Sequence, residues 1–184
     1  HESEEDDFVV DNDDELDEIL TTIERSPQAA LAAVLLLRGV ENRTIEESLI
    51  AESTTYSLLQ GGAEFAQWKN HRVSRESKVA GEAEVLSVRL DDHLMVTLNS
   101  PARRNAFSSN MRTALAEILQ VALIDESIQS VTLRGAGSNF SSGGDLDEFG
   151  SFTDPISTHI SRLTSNVAVS LNMLRERLGT KLCC

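Results

Sequence analysis

The chain of 184 residues has only two cysteines, and both stand at its end, as Cys183 and Cys184. Two adjacent terminal cysteines exclude a disulfide framework and do not have the spacing of metal ligands. We expect both to be buried in a strand of a protein that works in a reducing interior.

Long apolar runs are also missing, since the longest covers nine residues, 29–37. A helix needs about 20 apolar residues to cross a bilayer, so we expect no membrane span. No basic segment followed by an apolar one marks a secretory signal near the start. The chain begins with His1 rather than Met, and we expect upstream residues to be missing. These features predict a cytoplasmic protein.

Basic residues are scarce, with 16 Lys and Arg against 30 Asp and Glu, which gives a net charge of −14. Residues 1–20 hold eleven of the acidic groups and no Lys or Arg, so the remaining residues carry 16 − 19 = −3. An acidic tail without a basic cluster argues against nucleic acids and anionic membranes as partners. We expect residues 1–12 to be a disordered acidic tail.

Several common site motifs are absent. The sequence has no dinucleotide-binding glycine turn, no phosphate loop and no nucleophile elbow. The four histidines are spread along the chain without metal-ligand spacing, at His1, His71, His93 and His159. Asp145, Asp147 and Glu148 cluster after Gly144, but an Asp after two glycines more often ties a loop than binds a metal. We therefore predict no metal site.

Residues 13–72 have the pattern of an all-helical section. Apolar residues recur at helical spacing from residue 16, Pro27 begins a second helix, and Thr44 with Glu47 forms a capping box. Gly61 and Gly62 end the helix that follows. Residues 73–82 are polar, with charges of both signs, and indicate a linker.

Strand patterns begin near residue 83. Residues 85–90 and 94–98 predict a β-hairpin, and residues 130–134 predict a third strand. The helical pattern between them indicates a right-handed crossover that joins two parallel strands. We expect a last helix over residues 156–178 and the start of a further strand at 181–184. The fold class predicted for residues 83–184 is α/β.

Two loops follow these strands, at residues 99–107 and 140–150. Ligands bind at the carboxyl ends of strands in open α/β sheets. Arg103 and Arg104 could meet phosphates, and the backbone N–H groups of Gly143 and Gly144 could approach a ligand without a Cβ in the way.

The two loops resemble the motifs of the enoyl-CoA hydratase/isomerase family, the crotonase superfamily. The matching stretches are Asn99-Ser100-Pro101 through Asn105-Ala106-Phe107, then Val131-Thr132-Leu133-Arg134-Gly135, then Phe140-Ser141-Ser142-Gly143-Gly144-Asp145-Leu146. Their order and spacing agree with the family over about residues 83–182. The resemblance implies crotonase-type repeated ββα units, incomplete here and preceded by the helical section.

The resemblance also implies a site and a ligand. The ligand would be an acyl-CoA thioester, which brings its own CoA, so no separate cofactor is expected. The backbone N–H of Gly144 would be one of two oxyanion-hole donors. The residues implied to bind CoA or substrate are Arg103, Arg104, Ala106, Ser142, Gly143, Gly144, Asp145 and Leu146. Family members commonly form trimers or hexamers, so a homo-oligomer is expected of the parent protein.

Three functions stay open at this point. The first is an enoyl-CoA hydratase or isomerase that works through a stabilised enolate. The second is a cofactor-independent dioxygenase acting on an aryl-acetyl-CoA, because residues 52–68 resemble the helical extension of the dihydroxyphenylacetyl-CoA dioxygenases. A plain packing unit with Tyr56, Phe65 and Trp68 in its core explains that stretch equally well. The third is a non-catalytic CoA-binding or assembly module.

The chain departs from the family after residue 150. The second oxyanion donor and the acid/base carboxylates belong to a later Gly-rich turn, and neither Gly179 nor Glu176 matches those positions. We therefore expect a truncated chain that is inactive alone. An unpaired sheet edge and an uncovered apolar face predict that it is poorly soluble or molten.

Overall fold

The computed structural model describes residues 12–72, 83–151, 154–164 and 166–184. Most of the predicted acidic tail and the whole predicted linker, 73–82, lie outside these residues. The chain divides into two compact units. The first comprises residues 1–72 and 154–163, and the second comprises residues 73–153 and 164–184.

Seven helices and four strands lie within the described residues. They are, in chain order, α1 (Asp13–Arg25), α2 (Pro27–Arg38), α3 (Ile45–Gln60), α4 (Ala63–His71), β1 (Val85–Leu90), β2 (His93–Leu98), α5 (Ser109–Ile124), β3 (Ser130–Gly135), α6 (Pro155–Thr164), α7 (Val167–Leu178) and β4 (Leu182–Cys183). None of the described helices combines the length and the apolar character needed to cross a bilayer.

The first unit contains α1–α4 and most of α6, and its helix starts follow the sequence. Pro27 stands at the first position of α2. The predicted capping box of α3 is confirmed, because Thr44 Oγ1 accepts from the Glu47 N–H and the Glu47 carboxylate accepts from the Thr44 N–H. These hydrogen bonds to Thr44 lower the pKa of Glu47 below its ordinary value.

The interior of the first unit is polar. Its buried residues, among those described, are Ser53, Ser57 and Thr158. Tyr56 and Phe65 are half-buried and Trp68 is 39% exposed, so these aromatics are partly covered rather than fully buried. Phe65 and Trp68 stack on each other, with their ring centroids 5.5 Å apart.

Helices α3 and α6 meet through polar pairs. Ser53 Oγ lies 2.9 Å from His159 Nδ1, and Arg162 Nη2 lies 2.5 Å from Glu52 Oε1. The guanidinium of Arg162 also stands over the Tyr56 ring, 4.1 Å from its centroid. These contacts join α6 to α3.

The second unit is built on a sheet with the strand order β1-β2-β3-β4. β1 and β2 form the predicted antiparallel hairpin, which turns at Asp91 and Asp92. β2 and β3 are parallel, with Leu94 beside Val131, and α5 joins them. The predicted strand–helix–strand crossover is therefore confirmed, and the unit is α/β as expected. The short β4 adds a third parallel strand beside β3.

One face of this sheet packs against α5 and α7. The register places Leu94, Val96 and Leu98 of β2 on the same face as Val131 and Leu133 of β3. The buried apolar side chains of the unit are Val85, Leu94, Val96, Leu98, Met111, Leu115, Leu119, Ala122, Ile128, Val131, Leu133 and Leu174. This core holds the carboxyl ends of β2 and β3 at fixed positions.

Two sequence expectations need correction in this region. The single helix expected over residues 156–178 is two helices, and Asn166 begins the second by accepting from the Ala168 N–H at 3.0 Å. A side chain that caps the backbone in this way starts a new helix rather than continuing an old one. Both cysteines are exposed rather than buried. Leu182 packs towards the core and alternation along β4 turns Cys183 to the opposite face, while Cys184 lies after the end of β4.

Candidate functional site

The candidate site lies where β2 and β3 end. Leu98 and Gly135 are neighbours in the parallel register, so the loops that follow leave the sheet side by side. The first loop covers residues 99–107 and the second covers residues 136–150. Both loops predicted from the sequence are thus brought together at the edge of the sheet where α/β proteins bind ligands.

Asn105 joins the two loops from inside. Its side chain is fully buried, and Oδ1 accepts from the Ser100 N–H at 2.8 Å. Nδ2 donates to the carbonyl oxygens of Ala136, at 2.9 Å, and Asn139, at 2.8 Å. Both N–H groups of the amide and one of the two acceptor positions on its oxygen are therefore used. The sequence motif contains Asn105, but sequence reasoning gave it no role, because the two carbonyl groups that its Nδ2 binds lie more than 30 residues away.

Gly135 is needed where these loops meet. A Cβ at this position would lie 2.3 Å from the Asn139 carbonyl oxygen and 2.5 Å from that of Phe140. It would also lie 2.7 Å from Nδ2 of Asn105. The second loop can fold back against the strand end only because residue 135 has no side chain.

A parallel bridge aligns Phe107 with Gly144. The Phe107 N–H donates to the Gly143 carbonyl at 2.8 Å, and the Asp145 N–H donates to the Phe107 carbonyl at 3.2 Å. The Gly143 C=O and the Gly144 N–H belong to one trans peptide, so they point in opposite directions. The Gly144 N–H therefore faces away from Phe107, and it has no acceptor among the described residues.

The two glycines differ in their surroundings. Gly143 has a φ of +87° and open space where a Cβ would be, so the backbone there adopts a conformation that suits glycine. A Cβ on Gly144 would lie 3.1 Å from the ring of Phe149, which covers one side of the residue. Gly144 is itself exposed. Gly144 therefore presents an exposed N–H group beside the aromatic ring of Phe149.

Arg103 ties the second loop to the first. Its Nη2 lies 2.6 Å from Asp145 Oδ1 and 2.7 Å from Asp147 Oδ2. Asp145 is buried and also accepts from the Asp147 N–H at 3.1 Å. The interpretation of Asp145 as a loop-tying residue is confirmed. Within the described residues, no three His, Cys, Asp or Glu side chains are placed to hold a metal ion.

The predicted site residues are neighbours but differ in exposure. Asp145 is buried, while Arg103 and Ala106 are half-buried. The exposed members are Arg104, Ser142, Gly143, Gly144 and Leu146. These five are the ones that a ligand could reach without a rearrangement of the loops.

A match to a family model covers this region. The model for enoyl-CoA hydratase/isomerase matches residues 93–159, which include both loops. These 67 of the 184 residues are similar to the enoyl-CoA hydratase/isomerase family. The resemblance read from the two sequence motifs is therefore confirmed.

Curated relatives match a part of the chain. A probable enoyl-CoA hydratase, EchA14 of Mycobacterium tuberculosis, is 36% identical over 76 residues, which are 40% of this chain and 30% of the relative. The 1,2-epoxyphenylacetyl-CoA isomerase of Escherichia coli is 40% identical over 55 residues, 30% of this chain and 21% of that protein. The chain thus spans less than a third of either relative.

Part of the chain also matches solved structures. A crystal structure of enoyl-CoA hydratase from Mycobacterium tuberculosis is 31% identical, with a TM-score of 0.37. The alignment covers 39% of this chain and 28% of that structure.

Another carboxylate near the family motif has a structural partner. Glu148 Oε2 accepts from the Ser109 N–H at 2.6 Å and so caps the start of α5. Ser108 is the residue that precedes α5, and its hydroxyl donates to the carboxylate of Glu84. Sequence reasoning missed both contacts, since neither Glu84 nor Glu148 has a fixed spacing from the residue it meets. The carboxylates of the second loop, Asp145, Asp147 and Glu148, therefore hold the site together.

Proposed function

We propose that the protein processes acyl-CoA thioesters by hydratase or isomerase chemistry, with the Gly144 N–H as an oxyanion donor. The observation that carries this proposal is the orientation of that N–H. It points away from the bridge with Phe107, is exposed, and lies at the carboxyl end of parallel strands.

Hydratase and isomerase reactions both develop negative charge on the thioester carbonyl oxygen. Removing a proton beside a thioester carbonyl, or adding water across the neighbouring double bond, places negative charge on that oxygen. A fixed N–H aimed at the oxygen stabilises the charge, and the loss of one such donor costs about 10²–10³ in rate. Gly144 supplies this donor without a side chain that would block the approach of the carbonyl.

The CoA portion would lie along the exposed residues of both loops. Arg104 supports this because it is an exposed, positively charged residue of the first loop. Arg103 was predicted to contact CoA as well, but its Nη2 already meets two carboxylates. We assign Arg103 to bracing the loops and Arg104 to the CoA phosphates. Ala106, Ser142, Gly143, Asp145 and Leu146 complete the proposed binding loops.

An aryl-acetyl-CoA is the second candidate for the acyl group. One relative acts, by its name, on 1,2-epoxyphenylacetyl-CoA, and it matches this chain at 40% identity over 55 residues. The ring of Phe149 beside Gly144 gives an apolar contact near the proposed position of the carbonyl. Stacking on an aryl group would favour such a substrate.

Calorimetric titration with CoA, crotonyl-CoA and phenylacetyl-CoA tests the proposal. We expect saturable binding of the thioesters, with a preference that identifies the acyl group. We expect no turnover by the 184-residue chain, because its described part supplies one oxyanion donor and uses its loop carboxylates structurally. The absence of binding for all three ligands would refute the proposal.

A further inference from the structure

We infer that Asn105 is a positioning residue that sets the direction of the Gly144 N–H. The inference rests on the proposed function of that N–H as a donor to a thioester carbonyl. Asn105 does not touch the ligand in this view, because its side chain is completely buried. It acts through the loop that carries Gly144.

The position of Asn105 requires an amide side chain. Oδ1 accepts one backbone N–H, from Ser100, while Nδ2 donates to two carbonyl oxygens, those of Ala136 and Asn139. A carboxylate could accept the first bond but could not donate the other two. The backbone φ of +53° also favours Asn over most other side chains. Both requirements point to Asn at this place.

A chain of hydrogen bonds leads from Asn105 to the peptide of Gly144. The Asn105 carbonyl accepts from Ser141 Oγ at 2.8 Å, and the same Oγ accepts from the Gly143 N–H at 3.2 Å. Two residues after Asn105, Phe107 bonds to the peptides on either side of Gly144. Asn105 thus fixes the first loop, and the first loop fixes the second.

Because residue 143 is a glycine, hydrogen bonds must orient the peptide that links it to Gly144. A glycine with a positive φ and no neighbour within 4 Å of its Cβ position has no side chain to hold the peptide that follows. The direction of the Gly144 N–H therefore depends on the hydrogen bonds around it. Small misplacements of a catalytic group cost much of its effect, on the order of 10²-fold for about 1 Å.

The test uses two ligands that differ in one oxygen. Acetyl-CoA has the thioester carbonyl, and S-ethyl-CoA lacks it. Titration calorimetry of the 184-residue chain gives the ratio of their dissociation constants. One correctly placed donor should make acetyl-CoA bind about three- to tenfold more tightly. A loss of folded protein lowers the number of sites but leaves this ratio unchanged, so the ratio reports on the N–H.

Asn105→Asp is the main variant, and Asn139→Asp is its matched control on an exposed side chain of the second loop. We expect the ratio to fall to about one in Asn105→Asp and to keep its original value in Asn139→Asp. Ser141→Ala is a milder variant that removes the link between Asn105 and Gly143. We expect it to reduce the ratio by about two- to threefold, and it decides the matter if Asn105→Asp does not fold.

The outcomes distinguish a failure of the donor role of Gly144 from a failure of the positioning role of Asn105. If neither ligand binds, or if the unmodified chain binds both equally, the proposed donor role of Gly144 fails and this inference fails with it. If the unmodified chain prefers acetyl-CoA and both Asn105→Asp and Ser141→Ala keep that preference, the inference fails alone. A loss of preference confined to Asn105→Asp and Ser141→Ala supports it.

Discussion

Arg103 and Asp145 lie 42 residues apart in sequence and form an ion pair of 2.6 Å that joins the two loops. Asp145 is almost completely buried, whereas the side chain of Arg103 is 27% exposed. A buried carboxylate is stable only with partners that offset its lost hydration. The pair therefore fixes the loop of Gly144 and removes Arg103 from the set of free cations at the site.

Replacing Arg103 should cost more stability than replacing its second partner. Arg103→Met leaves Asp145 buried without its guanidinium, and we expect a loss of about 2–3 kcal/mol in the free energy of unfolding. Asp147→Asn keeps the Arg103–Asp145 pair, so we expect a loss of about 1 kcal/mol or less. Urea unfolding of both variants measures the difference. Equal losses of stability in the two variants would contradict the conclusion that Asp145 is the more important partner of Arg103.

The two loop glycines should respond differently to a methyl group. Gly135→Ala places a Cβ 2.3 Å from a backbone oxygen, and we expect a loss of about 3 kcal/mol or more. Gly143→Ala meets no atom within 4 Å and should cost only the strain of its positive φ, about 1–2 kcal/mol. Thermal melts of the two variants compare them directly. A larger loss in Gly143→Ala would mean that the loops do not meet at Gly135.

Local patterns predicted the elements around the site correctly. The apolar run of residues 94–98 and the helical spacing after residue 110 predicted β2, α5 and their crossover to β3, because each depends on the pattern of its own segment. The two loops were also found, since glycine, proline and asparagine mark them in the sequence.

Contacts between distant segments could not be predicted in this way. Arg103 looked like a free cation, because nothing local shows that Asp145 and Asp147 fold back onto it. The break between α6 and α7 depends on the side chain of Asn166, which breaks no apolar periodicity. The polar pairing of Ser53 with His159 joins segments 106 residues apart.

The second unit should lose stability in acid through Asp125. Its carboxylate accepts from the Ser127 hydroxyl and N–H and from Arg89 Nη1, and these bonds lower its pKa below the ordinary 3.8. A lowered pKa in the folded state stabilises the fold above pH 3.8, and this contribution disappears as the pH falls through the lower folded value.

Asp125→Asn tests this pH dependence. Urea unfolding of the variant between about pH 5 and pH 2 should show a smaller fall in stability than that of the unmodified chain. Asp92→Asn is the control, because Asp92 is exposed in the neighbouring turn. An unchanged acid dependence in Asp125→Asn would show that other carboxylates control it.

Replacing Arg104 should weaken ligand binding without destabilising the fold. Arg104 has a φ of +52°, so Arg104→Asn removes the charge while keeping a residue that tolerates this backbone. We expect the stability to change by less than about 0.5 kcal/mol. The affinity for CoA should fall by about tenfold at low salt, and the salt dependence of binding should become weaker. Unchanged affinity would place the CoA phosphates elsewhere.

The exposed face of β1 should govern the solubility of the chain. Leu86, Val88 and Leu90 share this face, and Val88 is 52% exposed on a strand that lies at the edge of the sheet. Exposed apolar residues on an edge strand favour pairing with other chains, and a lysine there opposes it. We expect Val88→Lys to raise the concentration at which the chain stays monomeric in light scattering, with little change in its melting temperature. Ser87→Lys adds the same charge on the other face and should help less. Equal gains would show that net charge, rather than the apolar face, limits solubility.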